Sequence, residues 1–345
     1  MFTMKQIIHK KIKKNNKKKI AILTSGGDCP GMNTAIYSLV RQCLYYDYEP
    51  YLVFEGYKGL VEDNIVIANY EEVKKNAFLG GSFIYSARLL EFKELLTRQK
   101  AALNLKKRSI NTLIVIGGDG SYQGAKLLSE LGINCICLPG TIDNDIASSD
   151  WTIGFYTALE SIDLAISQIK DTSISHNRVG LVEVMGRYCG DLAMYSSISS
   201  CADLIITSEN FMQPNEIAKK VKDAFTKNKK RRTFTIVITE RMYGANNNPT
   251  LEDIASSILK TSGHLTNINR LGYLQRGGMP NFMDRILAIK MGMYAIDLIS
   301  KNKNNRIVSI KNDKIVDVDF KIGFNLKRPK HLKEIQKLNS IQEKI

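Results

Sequence analysis

The stretch KIAILT, Lys19–Thr24, followed by SGGDCPGMN, Ser25–Asn33, decides how the rest of the chain is read. An apolar run without polar alternation reads as a strand buried on both faces. The paired glycines and the Pro-Gly step end it, and a helix is expected from about Met32 to Tyr46. The same unit recurs further on. NTLIVI (Asn111–Ile116) leads into Gly117-Gly118-Asp119-Gly120-Ser121 and a helix over 120–131. Ile133–Leu138 leads into Pro139-Gly140-Thr141-Ile142-Asp143-Asn144-Asp145. Tyr51–Glu55 reads as a strand and Glu91–Arg108 as a helix. Helices are expected over 152–170, 187–200, 214–226, 251–261 and 281–299, and strands over 178–184, 203–207, 234–239 and 265–274. Such alternation implies α/β architecture with doubly wound parallel sheets, whose ligands bind beyond the carboxyl ends of the strands. The glycine- and aspartate-rich turns fall at those ends. A chain of 345 residues exceeds what one core usually holds, so two domains are expected.

Composition narrows the function classes. Apolar residues make up 44% and charged residues 24%, which suits a globular chain and excludes wholesale disorder. No apolar run approaches the ~20 residues that span a bilayer, and the basic start lacks a secretory signal's apolar stretch. The net charge of +15 invites a nucleic-acid or anionic-surface reading. Yet residues 1–20 hold eight lysines and no acid, so about half of the excess is one short arm. A solvated arm is the plainer interpretation, with no specific nucleic acid and no membrane as partner. The six cysteines lack C-x-x-C spacing and the four histidines are scattered, which argues against a disulfide framework or a zinc site and fits a reducing cytoplasm.

Each turn has a chemical reading beside a plain one. Gly26-Gly27 lets a backbone approach a bulky anion, and an ordinary strand-to-helix turn would look the same. GGDG can set phosphate oxygens against helix N–H groups, with Asp119 a hard oxygen ligand for magnesium, and NAD kinases and lipid kinases carry it too. Asp143 and Asp145, two positions apart, can share one side of a site, one taking a proton and one near metal or phosphate. An Asp-rich cap would also fit. In Val182-Glu183-Val184-Met185-Gly186-Arg187-Tyr188-Cys189-Gly190-Asp191, Arg187 offers a planar fork for phosphate.

Taken together, TSGGDCPGMN, GYKGL, GGDGSY, PGTIDND, SHNR, VEVMGRYCGD, ITE, LQRGG and DRILAIKMG closely resemble the bacterial ATP-dependent 6-phosphofructokinases, in order from about Lys18 to Lys330. The resemblance implies a homotetramer of two-domain subunits. Residues 18–153 plus 274–324 would bind ATP and 154–273 plus 325–345 fructose 6-phosphate, with 1–17 as a basic arm. It implies that Gly27, Arg88, Leu89, Gly118, Asp119, Gly120 and Ser121 contact ATP or its magnesium, Asp119 being the metal-linked carboxylate. Asp143 would be the general base, with Thr141 and Asp145 beside it and Arg187 offsetting charge. Ile142, Met185, Gly186, Glu240 and Arg276 would hold the sugar phosphate, Arg276 at the 6-phosphate and Arg178 reaching it from a neighbouring subunit. Pyrophosphate-dependent relatives typically carry aspartate at the position of Gly120 and lysine at that of Gly140, so ATP is the expected donor.

Two expected 6-phosphate ligands differ. The usual histidine is Tyr273 and the usual inter-subunit arginine is Asn267; losing a charged contact costs about 1.5–3 kcal/mol. Arg270 is an odd offset from Asn267 and faces the other side of a strand. Weakened fructose 6-phosphate affinity is therefore expected. At the family's effector site Tyr37, Tyr70 and Lys170 replace arginines while Arg41, Asp203, Lys229, Arg231 and Arg232 remain, so weak or absent allosteric control is expected. The alternative to an active kinase is a catalytically impaired binding or regulatory paralogue.

Overall fold

The computed structural model describes residues 17–344, so the lysine arm expected over 1–17 lies outside them except for Lys17. In chain order, β1 (Lys19–Ser25) leads into α1 (Met32–Tyr45), β2 (Glu49–Val53), α2 (Gly56–Glu62), β3 (Ile65–Ile67) and α3 (Tyr70–Asn76). A short 3-10 turn over Leu90–Lys93 precedes α4 (Leu95–Lys107), β4 (Ile110–Gly117), α5 (Asp119–Ser129) and β5 (Asn134–Pro139). Next come α6 (Phe155–His176), β6 (Val179–Val184), α7 (Asp191–Ser200) and β7 (Leu204–Ile206). They are followed by α8 (Pro214–Lys227), β8 (Phe234–Thr239), α9 (Leu251–Ser262) and β9 (Thr266–Arg270). A second 3-10 turn, Gly272–Arg276, opens onto α10 (Phe282–Ser300), β10 (Arg306–Lys311), β11 (Lys314–Asp319), α11 (Phe320–Gly323) and α12 (Leu332–Lys344).

The strands form two sheets, one ordered β11-β10-β5-β4-β1-β2-β3 and the other β7-β8-β6-β9. Side chains of β1 alternate between two cores, Ile20 and Ile22 on one face and Ala21 and Leu23 on the other. β4 divides likewise, with Ile114 and Ile116 opposite Leu113 and Val115. This is the period of two working inside an unbroken apolar run, possible because helices cover both faces. In the second sheet Val182 and Val184 of β6 join the same core as Ile20, while Val179 and Leu181 face a separate one. One core thus touches one face of each sheet and ties the two sheets together.

The parallel expectation holds for the sheet interiors and fails at two edges. β2–β3 and β10–β11 pair antiparallel. Both are short-range connections of the kind that antiparallel strands can make and parallel ones cannot. Several boundaries also shift. The helix expected over 187–200 starts at Asp191, because Gly186 and Arg187 take φ values of 128° and 57° and form a turn. The strand expected over 265–274 stops at Arg270, where the 3-10 turn takes over. The helix expected over 91–108 breaks at Glu94, which is extended at φ −82°, ψ 137°. α6 continues past 170 to His176.

Candidate active site

The carboxyl ends of six strands, three from each sheet, open onto one cleft of about 820 Å³. From the larger sheet come Ser25–Asp28 after β1, Gly118–Ser121 after β4 and Gly140–Asp143 with Asp145 after β5. The smaller sheet contributes Met185 and Arg187 after β6, Glu240 and Arg241 after β8, and Tyr273 and Arg276 beyond β9. In the larger sheet the chain reverses direction between β1 and β4, the switch point where open α/β sheets bind ligands.

The nucleotide-like end of the cleft is built on α5. Gly118 is its N-cap and Asp119 its first residue, so free N–H groups and the positive end of the helix face the cleft. A Cβ at Gly120 would meet nothing within 4 Å, which leaves room beside the turn for a phosphate chain. Gly140 also lines the cleft, and a Cβ there would strike Ile116 Cγ2 at 2.8 Å, so close packing against β4 is a second reason for glycine at this position. Tyr57, Leu89, Leu90 and Phe92 line an apolar wall with Arg88 beside them. Tyr57 and Phe92 stack with ring centroids 4.2 Å apart, and the Tyr57 hydroxyl donates to the Ser121 carbonyl at 2.6 Å, fixing that wall to the phosphate turn.

At the centre stand Asp143 and Asp145. Each has a buried Oδ1 without a hydrogen-bond partner in the protein. Burial pushes the Asp143 carboxyl up and Glu240 adds to this, while the guanidiniums of Arg276 and Arg187 oppose it. Burial, then the Asp143 charge, push Asp145 up to about 6. The Asp143 N–H donates to Thr141 Oγ1 at 3.2 Å, tying the two residues together. Unpartnered hard oxygens here, with Asp119 on the facing turn, suit a small divalent cation held by one or two carboxylates together with substrate phosphates. Among the described residues no group of three or more His, Cys, Asp or Glu is placed to hold a metal ion.

Arg276 reaches into the cleft from the turn beyond β9. Its Nη1 would lie 1.5 Å from a Cβ at Gly27, so the guanidinium rests directly on that glycine, and its Nε is buried without a partner. It spans from the β1 turn toward Asp143. Any side chain at position 27 would expel it.

A phosphofructokinase family model matches residues 19–299. The chain belongs to the phosphofructokinase family. Among its relatives, the ATP-dependent 6-phosphofructokinase of Vibrio cholerae is 45% identical, with 90% of this chain and 95% of that protein covered. The probable ATP-dependent 6-phosphofructokinase of Mycoplasma pneumoniae is 44% identical, with 90% and 93% covered. Among solved structures, the phosphofructokinase of Saccharomyces cerevisiae superposes with a TM-score of 0.82 at 31% identity. That match covers 95% of this chain, which spans about half (48%) of the yeast one. The pyrophosphate-dependent phosphofructokinase of Marinobacter aquaeolei reaches a TM-score of 0.80 at 16% identity, with 94% and 91% covered, and shares the fold.

Of the expected family ligands, Gly186 lies between the cleft residues Met185 and Arg187, and Arg178 and Asn267 do not line this cleft. Arg178 Nη1 donates to Asn267 Oδ1 at 3.0 Å, so the two face each other across β6 and β9. Arg270 is occupied by Glu252 at 2.8 Å and Glu183 at 3.7 Å, on the other side of β9 as its offset implies. Tyr273 is 84% exposed at the rim. The effector candidates are held by separate partners. Arg41 lies over the Tyr37 ring, and Lys170 reaches the carbonyls of Ser200 and Cys201. Arg231 pairs with Asp203 at 2.6 Å, Arg232 donates to the carbonyls of Ile174 and Ser175, and Lys229 is exposed.

Sequence reading overlooked Gln275. Fully buried, it accepts from the Met185 N–H at 3.0 Å and donates to the Gly272 carbonyl at 3.0 Å, so it sets the turn carrying Tyr273 and Arg276 against the end of β6. Its place inside LQRGG was the available signal, but a glutamine between a leucine and an arginine announces no direction.

Proposed function

We propose that the chain is an ATP-dependent 6-phosphofructokinase, moving the γ-phosphoryl group of ATP onto the 1-hydroxyl of fructose 6-phosphate in glycolysis. The observation that carries this reading is the pair of buried, partnerless carboxylate oxygens of Asp143 and Asp145, set between the N-terminus of α5 and the arginines at 187 and 276. Asp143 takes the proton from the 1-hydroxyl as its oxygen attacks the γ-phosphorus, and ADP leaves with the electrons of the broken bond. Its raised affinity for protons, from burial, makes it a better base than an exposed aspartate. Arg187 and Arg276 offset charge on the transferring group. The position of Arg276 on Gly27 favours that duty over an exclusive hold on the sugar 6-phosphate. Asp119 and Asp145 would hold magnesium with the phosphate oxygens; when bound, the cation neutralises phosphate charge and aligns the donor.

The open space at Gly120 favours ATP as donor, and the apolar wall of Tyr57, Leu89 and Phe92 suits a nucleobase. With every transfer residue present, no observation favours an impaired paralogue. Assembly as a homotetramer agrees with Arg178 and Asn267 lying off the cleft of their own chain, where a neighbour's sugar phosphate could meet them. The same reading gives a nucleotide domain of 18–153 plus 274–324 and a sugar domain of 154–273 plus 325–345, and it implies a cytoplasmic enzyme. In keeping with that, no helix among the described residues is long and apolar enough to cross a membrane. Effector control is weak because tyrosines stand at 37 and 70 and Arg231 is already paired with Asp203.

A coupled assay of the purified chain tests this: turnover with ATP and fructose 6-phosphate is expected, with little when pyrophosphate replaces ATP or when sedoheptulose 7-phosphate or tagatose 6-phosphate replaces the acceptor. Preference for pyrophosphate, or turnover confined to another acceptor, would contradict it.

A further inference from the structure

Along the turn after β5, Asn144 and Ile146 are buried behind the cleft while Asp143 and Asp145 reach it. Asn144, fully buried and at φ 53°, is the residue that the two carboxylates flank. Its Nδ2 donates to Asp191 Oδ2 at 2.8 Å and to the Asp150 carbonyl at 3.1 Å. Asp191 opens α7 and is itself 2% exposed. The same Oδ2 accepts from Arg328 Nη2 at 2.6 Å, and Oδ1 lies 3.6 Å from His331 Nε2. Arg328 Nη1 also donates to the carbonyls of Ile146 at 3.2 Å and Ser149 at 3.1 Å.

Arg328, far along the chain, therefore grips the catalytic turn twice: directly at Ile146 and Ser149, and through Asp191 at Asn144. A buried ion pair yields little net stability over an apolar filling, so stability alone is a poor reason for this arrangement. Geometry is a better one. Arg187 lies on the turn after β6 and Asp191, four positions on, is the first residue of α7, so a single carboxylate ties the segment bearing Arg187 to the residue between the two cleft aspartates. We propose that Asp191 and Arg328 are positioning residues for phosphoryl transfer, holding Asn144 so that Asp143 and Asp145 stay in register with Arg187. This rests on the assignment of Asp143 as the base.

The test is steady-state kinetics of the full chain with ATP and fructose 6-phosphate for wild type, Asp191→Asn, Asn144→Gly and the double variant. Small misplacement of a reacting group costs up to about 100-fold, so kcat is expected to fall at least about tenfold in each single variant, with both KM values within about threefold. The double variant should be no worse than the worse single one, since both break one linkage. A folded Asp191→Asn protein with wild-type kcat, or losses that multiply in the double variant, would overturn the proposal. If Asp191→Asn does not fold, Asn144→Gly decides alone: it leaves no charge unpaired, and glycine accepts the left-handed φ. Loss of kcat supports the proposal and wild-type kcat overturns it. Wild-type inactivity would sink the assignment of the base and this proposal with it. An active wild type with unaffected variants would sink this proposal alone.

Discussion

Asp145, half-buried, and Asp284, fully buried, are both carboxylates that desolvation pushes up to about 6, and they sit in opposite circumstances. Asp284, on α10, accepts from the Gly154 N–H at 2.8 Å, the Thr157 N–H at 2.7 Å and the Thr157 hydroxyl at 2.5 Å. It caps the start of α6 and fastens it to α10. Asp145 keeps a buried oxygen with no partner in the protein, as does its neighbour Asp143. A raised pKa alone would mark both places as functional. The partners separate them: the scaffold satisfies its buried acid, and the cleft leaves its own acids open to whatever enters.

Substitutions can break or sharpen that contrast. The largest effect is expected at Asp143→Asn, which keeps shape and removes the base: kcat should fall by about 10²–10⁴-fold with KM values little changed, read in the coupled assay. Next is Asp284→Ala, which orphans three buried donors and should lower unfolding free energy by about 2–4 kcal/mol in urea titrations. Asp145→Ala removes a carboxylate whose Oδ1 has no partner in the protein and whose hydrogen bond from the protein is from its own backbone N–H. Its stability at pH 7, measured with a chelator present, should hold or rise by on the order of 1 kcal/mol while activity is lost. The sign of its pH dependence follows. Because the folded pKa is raised, the wild-type folded state takes up a proton as pH falls through about 6. Wild type should therefore gain on Asp145→Ala between pH 7 and pH 4. The smallest effect is expected at the rim. Tyr273→His should lower KM for fructose 6-phosphate by only about threefold, the side chain being 84% exposed.

Much of the fold was legible because β1, β4, β5, β6 and β8 are buried on both faces and read as mostly apolar runs. β3, β10 and β11 were not. β3 and β11 are edge strands, β10 meets β5 at only two residue pairs, and β11 reads KIVDVD, with its aspartates paired to Arg306 on β10. The turn at Arg187 hid inside a helix-like stretch because backbone φ leaves no trace in hydrophobic period. In the site, the glycine- and aspartate-rich turns were legible, since their residue types are costly anywhere else. Gln275, the grip of Asp191 and Arg328 on Asn144, and the rest of Arg276 on Gly27 were not, because each depends on contacts between segments distant in sequence.

The most direct test of the account is a crystal structure with fructose 6-phosphate and a non-hydrolysable ATP analogue bound together. The 1-hydroxyl oxygen should lie within about 3.2 Å of an Asp143 carboxylate oxygen and face the terminal phosphorus. A sugar bound with that hydroxyl turned away from Asp143, and another side chain in its place, would contradict the assignment.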